Sequence, residues 1–190
     1  DAVYATAMRS HLAGALRAEQ AGLTVSLAGW VHRTRDLGAV AFVDLRDRAG
    51  IVQLSFDPTW SPADVIALAR GLTPETVIVV EGVVVLRDAA RRNPELDSGE
   101  IEVQVRAVRI VGEADTPAIP VARNKGDKMP AEELRLRHRH LDLRRPELQQ
   151  NLILRHRLLQ VARQTLSQGG FLEVETPILT KPTPEGARDY

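Results

Sequence analysis

Five stretches of this chain are dense in Val, Ile and Leu: Val25–Arg33, Val40–Arg46, Ile51–Phe56, Thr76–Arg87 and Ile101–Val111. Each has strand length, and turn chemistry separates them at Asp36-Leu37-Gly38, Asp47-Arg48-Ala49-Gly50 and Asn93-Pro94. Between the third and fourth runs lies one helical signal. Ser61 can cap it, Pro62 suits its first turn, Val65, Leu68 and Ala69 form one face, and Gly71 ends it. So many strands with a single helix cannot build a layered α/β sheet, and a small sheet hides its edges best by closing on itself.

Three strands, a helix and two more strands is the order of the OB-fold, which binds oligonucleotides across its second and third strands. By count alone an SH3-like or other small barrel stays open. The expected architecture is therefore an all-β five-stranded OB-fold barrel over residues 1–112, then a helical hinge or linker over 113–145, punctuated by Pro117, Pro120, Gly126 and Pro130 and ending in a short helix from Glu132 to His140. The third part, 146–190, opens with Pro146 at the start of a long helix. Leu148, Leu152, Leu159, Ala162 and Leu166, widened by Leu154, Leu158 and Val161, give that helix a broad apolar stripe until Gly169-Gly170 stop it. A short alternating strand, Phe171 to Glu175, follows, stops at Pro177 and leads into a charged loop in which Pro182, Pro184 and Gly186 forbid regular structure.

Composition narrows the class. The chain has no cysteine, so it has neither a disulfide framework nor a thiolate metal site or nucleophile. No apolar run reaches the roughly 18 residues of a membrane span, and Asp1 to Ala7 lack the layout of a signal peptide; a soluble cytoplasmic protein without membrane contact is expected. The formal net charge is zero, but of the 25 basic residues only Lys125, Lys128 and Lys181 are lysines. Arginine's planar fork suits phosphate. Arg135, Arg137, Arg139, Arg144, Arg145, Arg155, Arg157 and Arg163 crowd one region, where a solvated helix surface explains them as well as a phosphate-facing one does.

Period-2 alternation assigns faces within the barrel. In the second strand Ala41, Val43 and Leu45 share one face, so Phe42 stands outward beside Asp44 and Arg46. An aromatic ring among polar neighbours is suited to base stacking. If Arg48-Ala49 form a two-residue turn, Gln53 lies opposite Asp44 and diagonal to Phe42. Its amide offers both donor and acceptor to a base edge. Arg33 and Arg35, at the end of the first strand, are placed to meet phosphates. A barrel residue covered by the linker is the alternative for Phe42, and an ordinary solvent-facing strand residue for Gln53. Trp30, beside Gly29, reads as structural packing.

Three blocks carry a closer likeness. GWVHRTRDLGAVAFVDLRDRAGIVQLSF (29–56), RLRHRHLDLRRPELQQNLILRHR (135–157) and GFLEVETPILTKPTPEGARDY (170–190) resemble, in order, the anticodon-binding OB domain, the hinge with first signature helix, and the first signature of bacterial aspartyl-tRNA synthetases of class II. His32 and Thr34 depart from a run that is usually more basic there. The resemblance implies that Phe42 stacks on an anticodon base, Gln53 reads the middle uridine, Arg35 helps hold the loop, and Pro177 closes a strand at a homodimer contact. It further implies that Glu185, on a mobile lid from Thr180 to Ala187, meets the α-ammonium of L-aspartate. The partners implied are tRNA(Asp), L-aspartate and ATP with Mg²⁺. The family's ATP-gripping and Mg²⁺-binding signatures would lie beyond Tyr190, so this segment is expected to hold no catalytic residue or metal and to be inactive alone. Two alternatives stay open: a non-catalytic OB module for tRNA or single-stranded nucleic acid, and a relaxed synthetase that also charges tRNA(Asn). Leu37 in the RDLG turn resembles strict members of the family more than relaxed ones.

Overall fold

A computed structural model describes residues 8–122 and 126–179 and divides the chain into two compact units, Asp1–Asp142 and Leu143–Tyr190. The first is built on a closed barrel of five strands, β1 (Thr24–Asp36), β2 (Ala41–Asp47), β3 (Gly50–Phe56), β4 (Val77–Leu86) and β5 (Ile101–Gly112), in the cyclic order β1-β2-β3-β5-β4. Every pairing is antiparallel except β3 with β5. The helix α1 (Ala63–Arg70) lies between β3 and β4 in sequence, as the OB-fold requires.

Closure depends on β1. Its first half, Thr24 to Trp30, pairs with β4, and its second half, Trp30 to Asp36, pairs with β2. The register shifts between Val31 and Arg33, a bulge that bends the strand from one partner to the next. Gly29 is needed just before this bend, because a Cβ there would stand 2.4 Å from the carbonyl oxygen of Arg46. Alternate residues of all five strands, among them Leu27, Val31, Val43, Leu45, Val52, Leu54, Phe56, Ile78, Val80, Val103 and Val105, fill the interior. The helix caps that core with Val65, Ile66 and Ala69.

One local expectation is revised here. Ser61 does not cap α1, whose N-cap is Pro62 without a side-chain bond; the Ser61 hydroxyl instead donates to the carbonyl of Val105 in β5 at 2.6 Å. In the segment after β5, Ile119 and Val121 are buried. Two short helices follow, α2 (Glu132–Arg137) and α3 (Arg139–Asp142). Asp142 is fully buried and accepts from Arg135 Nε (3.1 Å) and Arg139 Nη1 (2.6 Å), so these two arginines of the basic region serve an internal carboxylate.

In the second unit the helix α4 spans Pro146–Gln168, with Pro146 in its first turn and Gly169 as its C-cap. Its apolar stripe is present, and Leu152, Ile153, Leu154, Leu158, Leu159, Val161 and Leu166 are exposed. Residues 171–175 do not form the expected strand: they are exposed and carry no ladder pairing among the described residues. Alternation alone does not make a strand, because backbone donors and acceptors need a neighbouring strand to pair with.

Candidate nucleic-acid interface

The β2–β3 hairpin turns on Arg48 and Ala49 with Asp47 opposite Gly50, and this register sets Asp44 opposite Gln53 and Phe42 opposite Ser55. The β1 register sets Arg35 opposite Phe42 and Arg33 opposite Asp44. Four outward residues singled out from sequence, Arg33, Arg35, Phe42 and Gln53, therefore share one face of β1, β2 and β3. They line a single cavity of about 350 Å³, at the small end of the roughly 300–1,000 Å³ typical of ligand sites.

The cavity is held by a hydrogen-bonded chain. Arg35 Nη2 donates to Asp44 Oδ1 (3.0 Å) and to Gln53 Oε1 (2.9 Å), and its guanidinium carbon lies 5.7 Å from the centre of the Phe42 ring. Gln53 Nε2 donates to Glu102 Oε2 at 2.8 Å. Behind Glu102, at 4.0 Å, sits Arg87, whose Nε donates to the carbonyl of Ile101 at 2.8 Å. Burial pulls the Arg87 guanidinium below its ordinary pKa, with Glu102 acting in the opposite direction. Its Nη2 is buried and makes no hydrogen bond among the described residues. With Arg33, Arg35, Arg87 and Arg91 against Asp44 and Glu102, the lining is cationic on balance, which suits an anionic backbone.

One alternative is set aside by this geometry. Gln53 is not a freely solvated strand residue but is only 8% exposed, engaged at both ends of its amide by Arg35 and Glu102. Phe42 is half-buried at the cavity wall and lies outside the core.

Sequence reading missed Arg87, Arg91, Asn93, Leu96 and Glu102, which complete the lining. Alternation around the inward Ile101, Val103 and Val105 marks Glu102 as outward, but only the parallel β3–β5 pairing, Leu54 opposite Val103, brings it beside Gln53. Arg87, Arg91 and Asn93 come from the β4–β5 connection, whose turn residues were legible although their destination was not.

Farther along the same sheet Trp30 is 37% exposed with the Arg46 guanidinium carbon 5.8 Å from its ring centre, so it packs against a cation at the surface, outside the core. Arg46 is buried, pairs with Glu75 at 2.8 Å and donates to His32 Nδ1 at 3.0 Å. Arginine only donates, so His32 must accept on Nδ1 and stay neutral. Burial first, then the Arg46 charge, pushes its pKa down to about 4. Pro177 belongs to the second unit and is exposed there, and Glu185 lies outside the described residues.

Two families match in tandem. Residues 25–111 match the family described as OB-fold nucleic acid binding domain, and residues 131–190 match tRNA synthetases class II (D, K and N). An aspartate–tRNA(Asp/Asn) ligase of Rubrobacter xylanophilus is 49% identical over 96% of this chain and 30% of its own length. An aspartate–tRNA ligase of Staphylococcus epidermidis is 47% identical over 87% of this chain and 28% of its own length. Among solved structures, the asparaginyl-tRNA synthetase of Pyrococcus horikoshii superposes with a TM-score of 0.76 at 28% identity, covering 90% of this chain and 38% of that one. The chain spans about 30% of the length of the curated relatives it matches. With its barrel, its order of elements and this span of identity, the chain is a homologue of aspartate–tRNA ligases over about 30% of their length, joining an OB-fold nucleic acid binding domain to a segment of class II (D, K and N) tRNA synthetases.

Proposed function

We propose that this chain supplies anticodon recognition to an aspartate–tRNA ligase, which in its intact form activates L-aspartate with ATP and passes the aspartyl group to the 3′ end of tRNA(Asp). The observation that carries the reading is the convergence of a ring, an amide and two arginines on one cationic cavity. Phe42 supplies a stacking face, Gln53 reads the middle uridine of the anticodon, and Arg33 and Arg35 hold the backbone. Stacking binds any base, whereas an amide set against a base edge discriminates, so affinity and specificity reside in adjacent side chains.

The remaining roles belong to the intact protein, a cytoplasmic homodimer in this reading. Pro177 would lie at the dimer contact and Glu185 against the α-ammonium of L-aspartate, a charge pairing suited to a carboxylate. ATP and Mg²⁺ supply phosphoryl chemistry that depends on positioning and on cations that stabilise phosphate charge. Among the described residues no group of three or more His, Cys, Asp or Glu side chains is placed to hold a metal ion. Among the described residues, too, no helix is long and apolar enough to cross a membrane.

Aspartate-dependent ATP–pyrophosphate exchange by the intact gene product tests the activity; its absence would favour a binding module over a ligase. The name of the Rubrobacter relative, which covers both Asp and Asn acceptors, favours a second reading in which tRNA(Asn) is charged as well. Aspartylation of the two purified transcripts in parallel decides between them.

A further inference from the structure

We propose that Glu102 and Arg35 lock the Gln53 side-chain amide in one of its two orientations, and that this lock is what lets the barrel tell uracil from cytosine; Glu102 is thereby a positioning residue for the base reader. The inference rests on the reading role given to Gln53 above.

A glutamine amide carries two N–H donors and a carbonyl with two lone pairs. In this structure one N–H is spent on Glu102 Oε2 (2.8 Å) and one lone pair on Arg35 Nη2 (2.9 Å), leaving one donor and one acceptor for a ligand. Uracil presents an acceptor, O4, beside a donor, N3–H. Cytosine presents the reverse, a 4-amino donor beside the acceptor N3. A glutamine turned by half a revolution about its last torsion exchanges its own donor and acceptor, and so reads one pyrimidine as readily as the other. That torsion is soft and roughly two-fold, so nothing within the side chain selects an orientation.

The neighbours select it. Arginine has only donors, and the Glu102 carboxylate only accepts. Turning the amide would aim N–H at N–H on the Arg35 side and oxygen at oxygen on the Glu102 side. Both partners are held in turn: Arg35 also donates to Asp44, which lies opposite Gln53 across the β2–β3 ladder, and Glu102 has the buried Arg87 at 4.0 Å. Because Gln53 is only 8% exposed, bulk water has little room to substitute for either partner.

The test uses the whole 190-residue chain and RNA hairpins whose seven-nucleotide loops differ only in carrying U or C at the middle position. The readout is the ratio of the two dissociation constants, which a purely structural role would not move. Glu102→Gln keeps shape but can donate or accept, so the ratio favouring U should fall about tenfold, the scale of one charge-assisted hydrogen bond. In a Gln53→Ala background the same change should leave the ratio where Gln53→Ala alone puts it. Arg35→Met probes the lock from its other end on a partly exposed side chain, and serves where Glu102→Gln fails to fold. A ratio unchanged by Glu102→Gln and by Arg35→Met, while Gln53→Ala abolishes it, overturns the lock and leaves the reading role standing. A Glu102→Gln effect that persists without Gln53 also overturns it, since Glu102 would then contact the base itself. If Gln53→Ala leaves the wild-type ratio intact, the reading role fails and the lock fails with it.

Discussion

Removing the Phe42 ring separates stacking from reading. The ring is half-buried, lies outside the core and has the Arg35 guanidinium carbon 5.7 Å from its centre. An exposed cation–π contact is worth about 0.5–1 kcal/mol, so Phe42→Ala should lower folding stability by about 1 kcal/mol or less. The binding loss should be larger, because base–aromatic stacking contributes about 1–3 kcal/mol per base. That corresponds to a rise in dissociation constant of roughly 5- to 150-fold. The loss should be the same factor for loops with U, C or A at the middle position, since every base has a π-face. Gln53→Ala should instead cost about 1–3 kcal/mol against the cognate base and little against a changed one. Fluorescence anisotropy with labelled anticodon hairpins, paired with urea denaturation of each variant, measures both quantities. Wild-type affinity in Phe42→Ala, a loss confined to one base, or a stability loss of several kcal/mol would each refute the assignment of Phe42 as an outward stacking platform.

Other consequences follow from neighbouring side chains. Arg33→Gln should reduce the slope of log affinity against log salt by about 0.7, the contribution of one phosphate contact in a single strand; titrations at three salt concentrations, with Phe42→Ala as the variant that leaves the slope unchanged, check it. Glu75→Gln leaves the buried Arg46 charge without its carboxylate and should destabilise the barrel by about 3–5 kcal/mol in urea unfolding. Burial and Arg46 hold the folded-state pKa of His32 at about 4, below the ordinary imidazole value of 6.5, so the unfolded chain binds the extra proton first. Stability from this group is therefore full above about pH 6.5 and is lost as pH falls toward 4, and His32→Asn should flatten that part of the urea-midpoint profile. Gly29→Ala drives a methyl into the Arg46 carbonyl at 2.4 Å and should lower the thermal midpoint by several degrees or prevent folding.

The barrel was legible because its signals are local. Five β-branched runs, turn residues between them and one helix in the fourth slot name the elements in order, and alternation around Val43 and Val52 assigns inward and outward faces without any tertiary knowledge. The Asp44–Gln53 pairing was legible for the same reason, since a two-residue turn fixes the hairpin register. Ser61 and the 171–175 segment depart from expectation because a local pattern does not reveal whether a nonlocal partner is present. The serine hydroxyl found a carbonyl on β5, and the alternating residues have no neighbouring strand among the described residues.

Strand identity, side-chain facing and the Phe42–Gln53 pair thus belong to the linear chain, because short-range periodicity and turn geometry act over a few residues. That Glu102 and Arg87 close the same cavity, with Glu102 accepting from the Gln53 amide and Arg87 behind it, belongs to the folded barrel alone. The parallel β3–β5 contact joins Gln53 to Glu102, residues far apart in sequence, and no periodicity along the chain encodes such a closure.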